Sequence, residues 1–171
     1  MLSQANPGFQ PDRELPVRTL LDRVGDRLDR AAGRPPLVEA SIRQALGSVY
    51  TELGDYTKAV QHYEAALRLQ RQHLGENDLE TLRSLHGLSM SHWWSSNMAK
   101  AEPLTRQGLE ASRRVLGDKH PLTLQFMQVR AVTMFWLNET PWTELEPLFH
   151  QALKLHPEVL GPDDPKTLEL I

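Results

Sequence analysis

The chain has 171 residues, 40 % apolar and 24 % charged, and its 22 acidic and 19 basic side chains leave a formal charge of -3. So small and mixed a charge argues against nucleic acid or an anionic membrane as partner, because both demand a concentrated basic surface. Cysteine is absent, which excludes disulfides, thiol nucleophiles and cysteine–zinc sites.

The opening MLSQANPGFQPDRELP has neither a basic leader nor an apolar run of signal-peptide length, and no stretch approaches the roughly 18 apolar residues of a membrane span. The first part of it, residues 1–12, holds Asn6, Pro7, Gly8, Pro11 and Asp12, a turn-forming composition expected to give an extended, flexible arm. A leader segment follows over residues 13–34. There Leu20, Leu21, Val24 and Leu28 recur at helical spacing among charged residues, predicting an amphipathic helix from Leu15 to about Ala32 that ends at Gly33, Pro35 and Pro36. Its apolar stripe needs a partner, and two are open: the first helical pair, which it would cap, or a second copy of the chain.

From residue 35 to 171 the chain is self-similar. LGEND at Leu74, LGDKH at Leu116 and LGPDD at Leu160 lie 42 and then 44 residues apart, each followed at one offset by Thr-Leu. Ala59, Ala101 and Leu145 each stand 15 residues before that Leu-Gly pair. Two landmarks in one register give a period near 42 residues, the size of a solenoid unit made of two helices. The predicted helices are Leu37–Leu53 and Tyr56–Leu74, Leu79–Trp94 and Met98–Leu116, then Pro121–Leu137 and Pro141–Leu155, with Pro165 opening the start of a fourth unit. Gly54-Asp55, Ser95-Ser96-Asn97 and Asn138-Glu139-Thr140 form the joints within units. Pro121 and Pro141 are expected at first helical positions. Pro103 lies uncomfortably deep in its helix, implying either a start nearer Ala101 or a distorted first turn, and Pro147 raises the same question.

Gly47, Ser89 and Ala131 share one repeat position, where small side chains let paired helices approach, while Leu46, Leu88, Leu67, Leu109 and Leu153 fill the space beside them. Tyr50, His92 and Met134 form another packing series. The four aromatics Trp93, Trp94, Phe135 and Trp136 are read mainly as filling the core between units, with a ligand hot spot as the functional alternative.

The run LGSVYTELGDYTKAVQHYEAAL, Leu46 to Leu67, together with the Leu-Gly-x-x-His/Asp-Pro-x-Thr-Leu connector at Leu116 and Leu160, resembles the tetratricopeptide repeat, in the long variety of kinesin light chains. At Leu74 the connector has Leu79 in place of proline. The resemblance implies an all-α, right-handed superhelical array of antiparallel helix pairs whose first helices line a concave face. It further implies a protein–protein interaction scaffold that takes a peptide segment there. Carried through the landmarks, the groove positions include Ser41, Gln44, Ser48 and Thr51, then Arg83, His86, Met90 and Trp93, then Gln125, Gln128, Val132 and Phe135. Where this family carries an Asn-Asn pair that holds peptide backbone, this chain has Gln44-Ala45, His86-Gly87 and Gln128-Val129, keeping an amide or imidazole only at the first position. Polar backbone contacts are thus assigned to Gln44, His86 and Gln128, apolar contacts to Met90, Trp93, Val132 and Phe135, and Arg83 is offered to a ligand carboxylate.

A narrower stretch, LSQAN with PDRELPVRTLLDRV and PLVEASIRQALGSVY, resembles the region preceding the repeats in large planctomycete-type bacterial serine/threonine protein kinases. The chain has no Gly-rich nucleotide loop, HRD or DFG, so phosphoryl transfer is not expected of it. A cytoplasmic location is expected, although a membrane span can precede this region in such kinases. Seven histidines show no HExxH spacing, and His86 and His92, six apart, differ by about 240° around a helix. No metal, cofactor or enzymatic activity is expected. The alternative to a peptide scaffold is a non-catalytic spacer or self-association module of a larger signalling protein.

Overall fold

A computed structural model of the chain describes residues 17–30, 33–138 and 141–160, and the described residues form seven α-helices: α1 Val17–Arg30, α2 Pro36–Glu52, α3 Tyr56–His73, α4 Leu79–Trp94, α5 Met98–Leu116, α6 Pro121–Leu137 and α7 Trp142–Leu160. The expected arm over residues 1–12 and the expected fourth start at Pro165 lie outside them. By contacts the chain divides into two units, Met1–Arg34 and Pro35–Ile171. In the first, α1 is strongly amphipathic, with Gly25 and Leu28 buried, while Leu20 of the predicted stripe stays 56 % exposed.

In the second unit each helix packs on its sequence neighbour from α2 to α7, giving three pairs in series. The backbones of successive first helices also come close, α2 to α4 and α4 to α6, whereas those of α3 and α5 stay farther apart and are bridged by side chains. Closer spacing on one side bends the array with α2, α4 and α6 on the inner surface.

The punctuation is local chemistry repeated at the period. Within pairs, Gly54, Ser96 and Asn138 adopt left-handed backbone with φ of 72°, 58° and 53°, 42 residues apart each time. The first two close the same paired bonds: Asp55 N–H to Tyr50 O at 2.9 Å with Gly54 N–H to Thr51 O at 3.0 Å, and Asn97 N–H to His92 O at 2.8 Å with Ser96 N–H to Trp93 O at 2.9 Å. This arrangement satisfies the last free carbonyls of a helix. Helix starts are capped by Asp55, whose carboxylate accepts from Lys58 N–H, by Asp78 from Glu80 N–H, and by His120, whose Nδ1 accepts from Leu122 N–H ahead of Pro121.

Between pairs a polar clamp recurs. Arg71 Nε donates to Glu76 at 2.9 Å and its Nη2 to Gln107 at 3.1 Å; one period on, Arg113 Nε donates to Asp118 at 2.9 Å and its Nη2 to Gln151 at 2.6 Å. Each arginine ties the end of one second helix to its connector and to the next second helix. Forked donors suit such a three-way role better than lysine.

The later start of α5 offered for Pro103 is excluded, and three further expectations, on Pro141, the end of α7 and Leu153, are corrected. Pro103 lies within a continuous α5 that starts at Met98, five residues earlier, and Pro147 stands at the same place in α7. Both are exposed, as are Ala99 and Thr143, the residues whose carbonyls each proline leaves without a helical donor. Pro141 precedes α7 rather than opening it, its carbonyl accepting from Leu145 N–H at 3.4 Å, and α7 runs to Leu160 rather than Leu155. Leu46, Leu67, Leu88 and Leu109 are buried as expected, but Leu153 is 37 % exposed, because among the described residues no further first helix covers α7.

The aromatic expectation also fails. Trp94, Phe135 and Trp136 are 49 %, 52 % and 64 % exposed, and only Trp93 is partly buried. Tyr50, Tyr63 and Phe126 occupy the core instead. Tyr63 of α3 lies against two glycines at once: a methyl at Gly47 would meet its ring at 2.8 Å, and one at Gly87 would overlap it. Phe126 of α6 likewise occupies the space that a side chain at Gly108 of α5 would need.

Candidate functional site

The inner surface carries two clefts, one at each junction between first helices. The cleft between α4 and α6, about 270 Å³, is lined by His86, Met90, Trp93, Trp94, Gln125, Gln128, Val129 and Val132. Six of the nine predicted site residues meet there. Residues four apart on one helix face, such as His86 with Met90 and Gln125 with Val129, supply opposing walls. The floor is aromatic: His86 meets Phe126 edge-on at 5.1 Å between centroids, and Trp93 meets Trp94 edge-on at 4.6 Å. The Trp93 Nε1–H is shut off from solvent and has no hydrogen-bond partner among the described residues. A buried donor in that state costs about 1–3 kcal/mol.

The cleft between α2 and α4, about 320 Å³, holds the predicted Gln44 and Arg83 with Ser41, Ala45, Ser48, Tyr63 and Glu80. Its polar groups are already joined. Gln70 Nε2 donates to Gln44 Oε1 at 2.8 Å, Gln44 Nε2 donates to Glu80 Oε2 at 3.3 Å, and Arg83 Nη1 donates to Glu80 Oε1 at 2.8 Å. Gln44 therefore bridges two pairs, and the Arg83 charge is balanced at its own helix. Burial pushes the Tyr63 phenol above its usual range, against the opposing effect of hydrogen bonds with Ser48 and Thr51, so the ring stands in this wall as a neutral phenol.

Phe135 joins neither cleft; it lies edge-on to Trp136 at 6.1 Å. It is the third-pair equivalent of Trp93, whose cleft is closed by the following first helix. The sequence offers Trp94 only as one of four aromatics with a hot spot as the alternative, and it gives no sign of Val129 as a wall. Val129 occupies the second position of the amide pair, where a branched apolar residue adds to the apolar wall formed by Met90, Trp93 and Val132. Trp94 also stacks on Tyr56 at 6.4 Å, joining the end of α4 to the start of α3.

No group of three or more histidine, aspartate or glutamate side chains is placed to hold a metal ion, and no helix is long and apolar enough to cross a membrane, among the described residues. The geometry defines a class: antiparallel helix pairs, stacked at a 42-residue period with their first helices inward, form a tetratricopeptide-like repeat array. Comparison agrees. Residues 38–104 match the tetratricopeptide repeat family. The structure is similar to the crystal structure of BtubC (BKLC) from P. vanneervenii, with a TM-score of 0.71 and 18 % identity over 90 % of this chain and 60 % of that one. It is also similar to a protein of Podosopora anserina described as a kinesin light chain with nearly identical TPR-like repeats, with a TM-score of 0.68 and 20 % identity over 81 % of this chain and 64 % of that one. The chain thus spans less than two thirds of either, and identity this low carries the fold alone. No curated protein sequence matches the chain. Tetratricopeptide repeats generally mediate protein–protein interaction on a typically non-catalytic scaffold.

Proposed function

We propose that the inner surface of α2, α4 and α6 binds a short segment of another protein, anchored in the cleft between α4 and α6. The observation that supports this reading most is the convergence there of His86, Met90, Trp93, Gln125, Gln128 and Val132 around a largely apolar space. At about 270 Å³ it lies just below the roughly 300–1,000 Å³ typical of small-molecule pockets, a size for one or two side chains rather than a cofactor. The resemblance of the stretches before and into the first pair to the corresponding part of planctomycete-type kinases supports placing this scaffold in a larger signalling protein.

Selection from a displayed random-peptide library, followed by calorimetry with the selected peptide, tests the site. Trp93→Ala is expected to weaken binding by more than about 1 kcal/mol, as aromatic hot spots do. Gln44→Ala is expected to do less, since its amide already serves Gln70 and Glu80. Unfolding curves accompany each titration. If folded Trp93→Ala and Gln128→Ala proteins both bind with unchanged affinity, the groove assignment is wrong.

A second reading, self-association, is favoured by one observation. Phe135, Trp136, Trp142 and Leu153 are all exposed on α6 and α7. A molar mass that rises with concentration, and falls back in a Trp142→Ser protein, would select it.

A further inference from the structure

The groove also carries information about what kind of segment it accepts. Along both clefts only two side chains are charged, Glu80 and Arg83, and they are bound to each other at 2.8 Å. The α4–α6 cleft has none. Its polar groups are the neutral amides of Gln125 and Gln128 and the His86 ring, set among Met90, Trp93 and Val132. A ligand carboxylate or ammonium brought here would lose water without gaining an opposite charge, a penalty that neutral groups escape.

We propose that the groove selects an electrically neutral segment: a bulky apolar side chain seated between Trp93 and Val132, flanked by uncharged residues whose peptide groups pair with Gln125 and Gln128. This rests on the peptide-binding reading above and adds the ligand's chemistry. Amides suit that task because each offers both a donor and an acceptor to a backbone. Selection here works by rejection, charged competitors being excluded by desolvation rather than by a repelling partner. Binding led by apolar contact and neutral hydrogen bonds is also nearly blind to salt, since screening acts on charge.

The test uses the 171-residue chain and a library of acetylated, amidated random nonapeptides, so that no terminal charge biases the outcome. The expected result is enrichment of a large apolar residue with aspartate, glutamate, lysine and arginine depleted on both sides. The affinity of the leading peptide is expected to change less than about twofold between about 0.1 and 1 M salt, across which the screening length shrinks from about 10 to 3 Å. A Val132→Lys protein is expected to gain preference for acidic peptides, which links the selectivity to this cleft. Enrichment of acidic or basic peptides, a steep salt dependence, or an unaltered profile in Val132→Lys overturns the neutral-ligand inference while leaving a peptide groove in place. No enrichment at all, or enrichment lost with Trp142→Ser and kept with Trp93→Ala, overturns the groove as well.

Discussion

The two junctions between helix pairs solve one packing problem with opposite residues. At the first, the bulk comes from the second helix: Tyr63 of α3 projects onto Gly87 of α4, one turn after the small, buried Ser84. One period later the equivalents are Thr105, Phe126 and Val129, so the bulk now comes from α6, and the glycine has moved to α5 as Gly108, the equivalent of Ala66. What a repeat conserves at its seam is the shared volume of facing positions, not the residue at each. Close-packed interiors require this, because an uncompensated change leaves either a void or an overlap. The clefts follow suit. The junction that spends its aromatic from α3 has a polar, internally bonded inner surface, whereas the junction with Phe126 and Val129 on α6 has an apolar one.

The comparison breaks most visibly if either aromatic is removed. Phe126→Ala and Tyr63→Ala are each expected to destabilise by about 3–5 kcal/mol in urea or thermal unfolding, the range for deleting a buried ring. A loss below about 1 kcal/mol at either seam would mean that the ring is not the main filler there. A sharper test is the complementarity itself. Gly108→Ala alone is expected to cost about 1–3 kcal/mol through overlap with Phe126. Combined with Phe126→Leu, the added methyl occupies vacated space, so the double variant is expected to be more stable than the sum of the singles by at least about 0.5 kcal/mol. Additivity would deny the pairing.

These seams also mark how far the sequence could be read. Helix limits were legible because they are written locally, in capping acids, prolines and left-handed joints, and five of the six helices in the pairs begin and end within one residue of expectation, α7 alone running further. The small series Gly47, Ser89 and Ala131 was legible as a column at one period. Gly87 and Gly108 were not, since each is small only relative to a residue on a neighbouring helix. The readable signal was there as an inverse size relation, Tyr63 with Gly87 and Phe126 with Gly108, at offsets of 24 and 18 residues. Exposure of the aromatics was illegible for a related reason. Hydrophobicity says what a side chain tolerates, while the seam had already been filled by Tyr63 and Phe126. In the candidate site, family register placed six residues in one cleft but could not foresee that Gln44 and Arg83 are bonded within the protein.

A second contrast between the pairs is titratable. Position 50 carries tyrosine, with the Lys58 ammonium 5.3 Å from its ring centre. One period on, the same lysine position is Lys100 and the ring has become His92, buried at the end of α4. A cation that favours a tyrosine face opposes a second cation. Burial, then Lys100, hold His92 below its usual range, with Glu64 pulling the other way. Above about pH 6.5 both native and unfolded chains carry it neutral. As pH falls below that value the unfolded chain takes up a proton the native one refuses, so stability is expected to decline toward the native pKa. His92→Met, which installs the residue found at position 134, is expected to flatten that part of the profile. An unchanged acid slope would show that His92 is protonated as easily folded as unfolded.

The smallest expected effect concerns the three joints within pairs, where Gly54, Ser96 and Asn138 share one left-handed conformation. Non-glycine residues meet a cost of about 1–2 kcal/mol there because Cβ crowds the backbone. Glycine escapes that cost but loses about 0.5–1 kcal/mol more conformational freedom on folding. The difference leaves Ser96→Gly stabilising by about 0.5 kcal/mol, since the paired bonds from Ser96 and Asn97 need only the backbone. Asparagine enters this region more readily than serine, so Asn138→Gly is expected to gain less. Gly54→Ala runs the balance backwards and is expected to lose about 1 kcal/mol. Thermal melts of the three proteins, each with one substitution, read the order directly. If Ser96→Gly lowers the melting temperature, the serine side chain contributes more at that joint than its strained backbone costs, and the equivalence of the three joints holds in shape but not in energy.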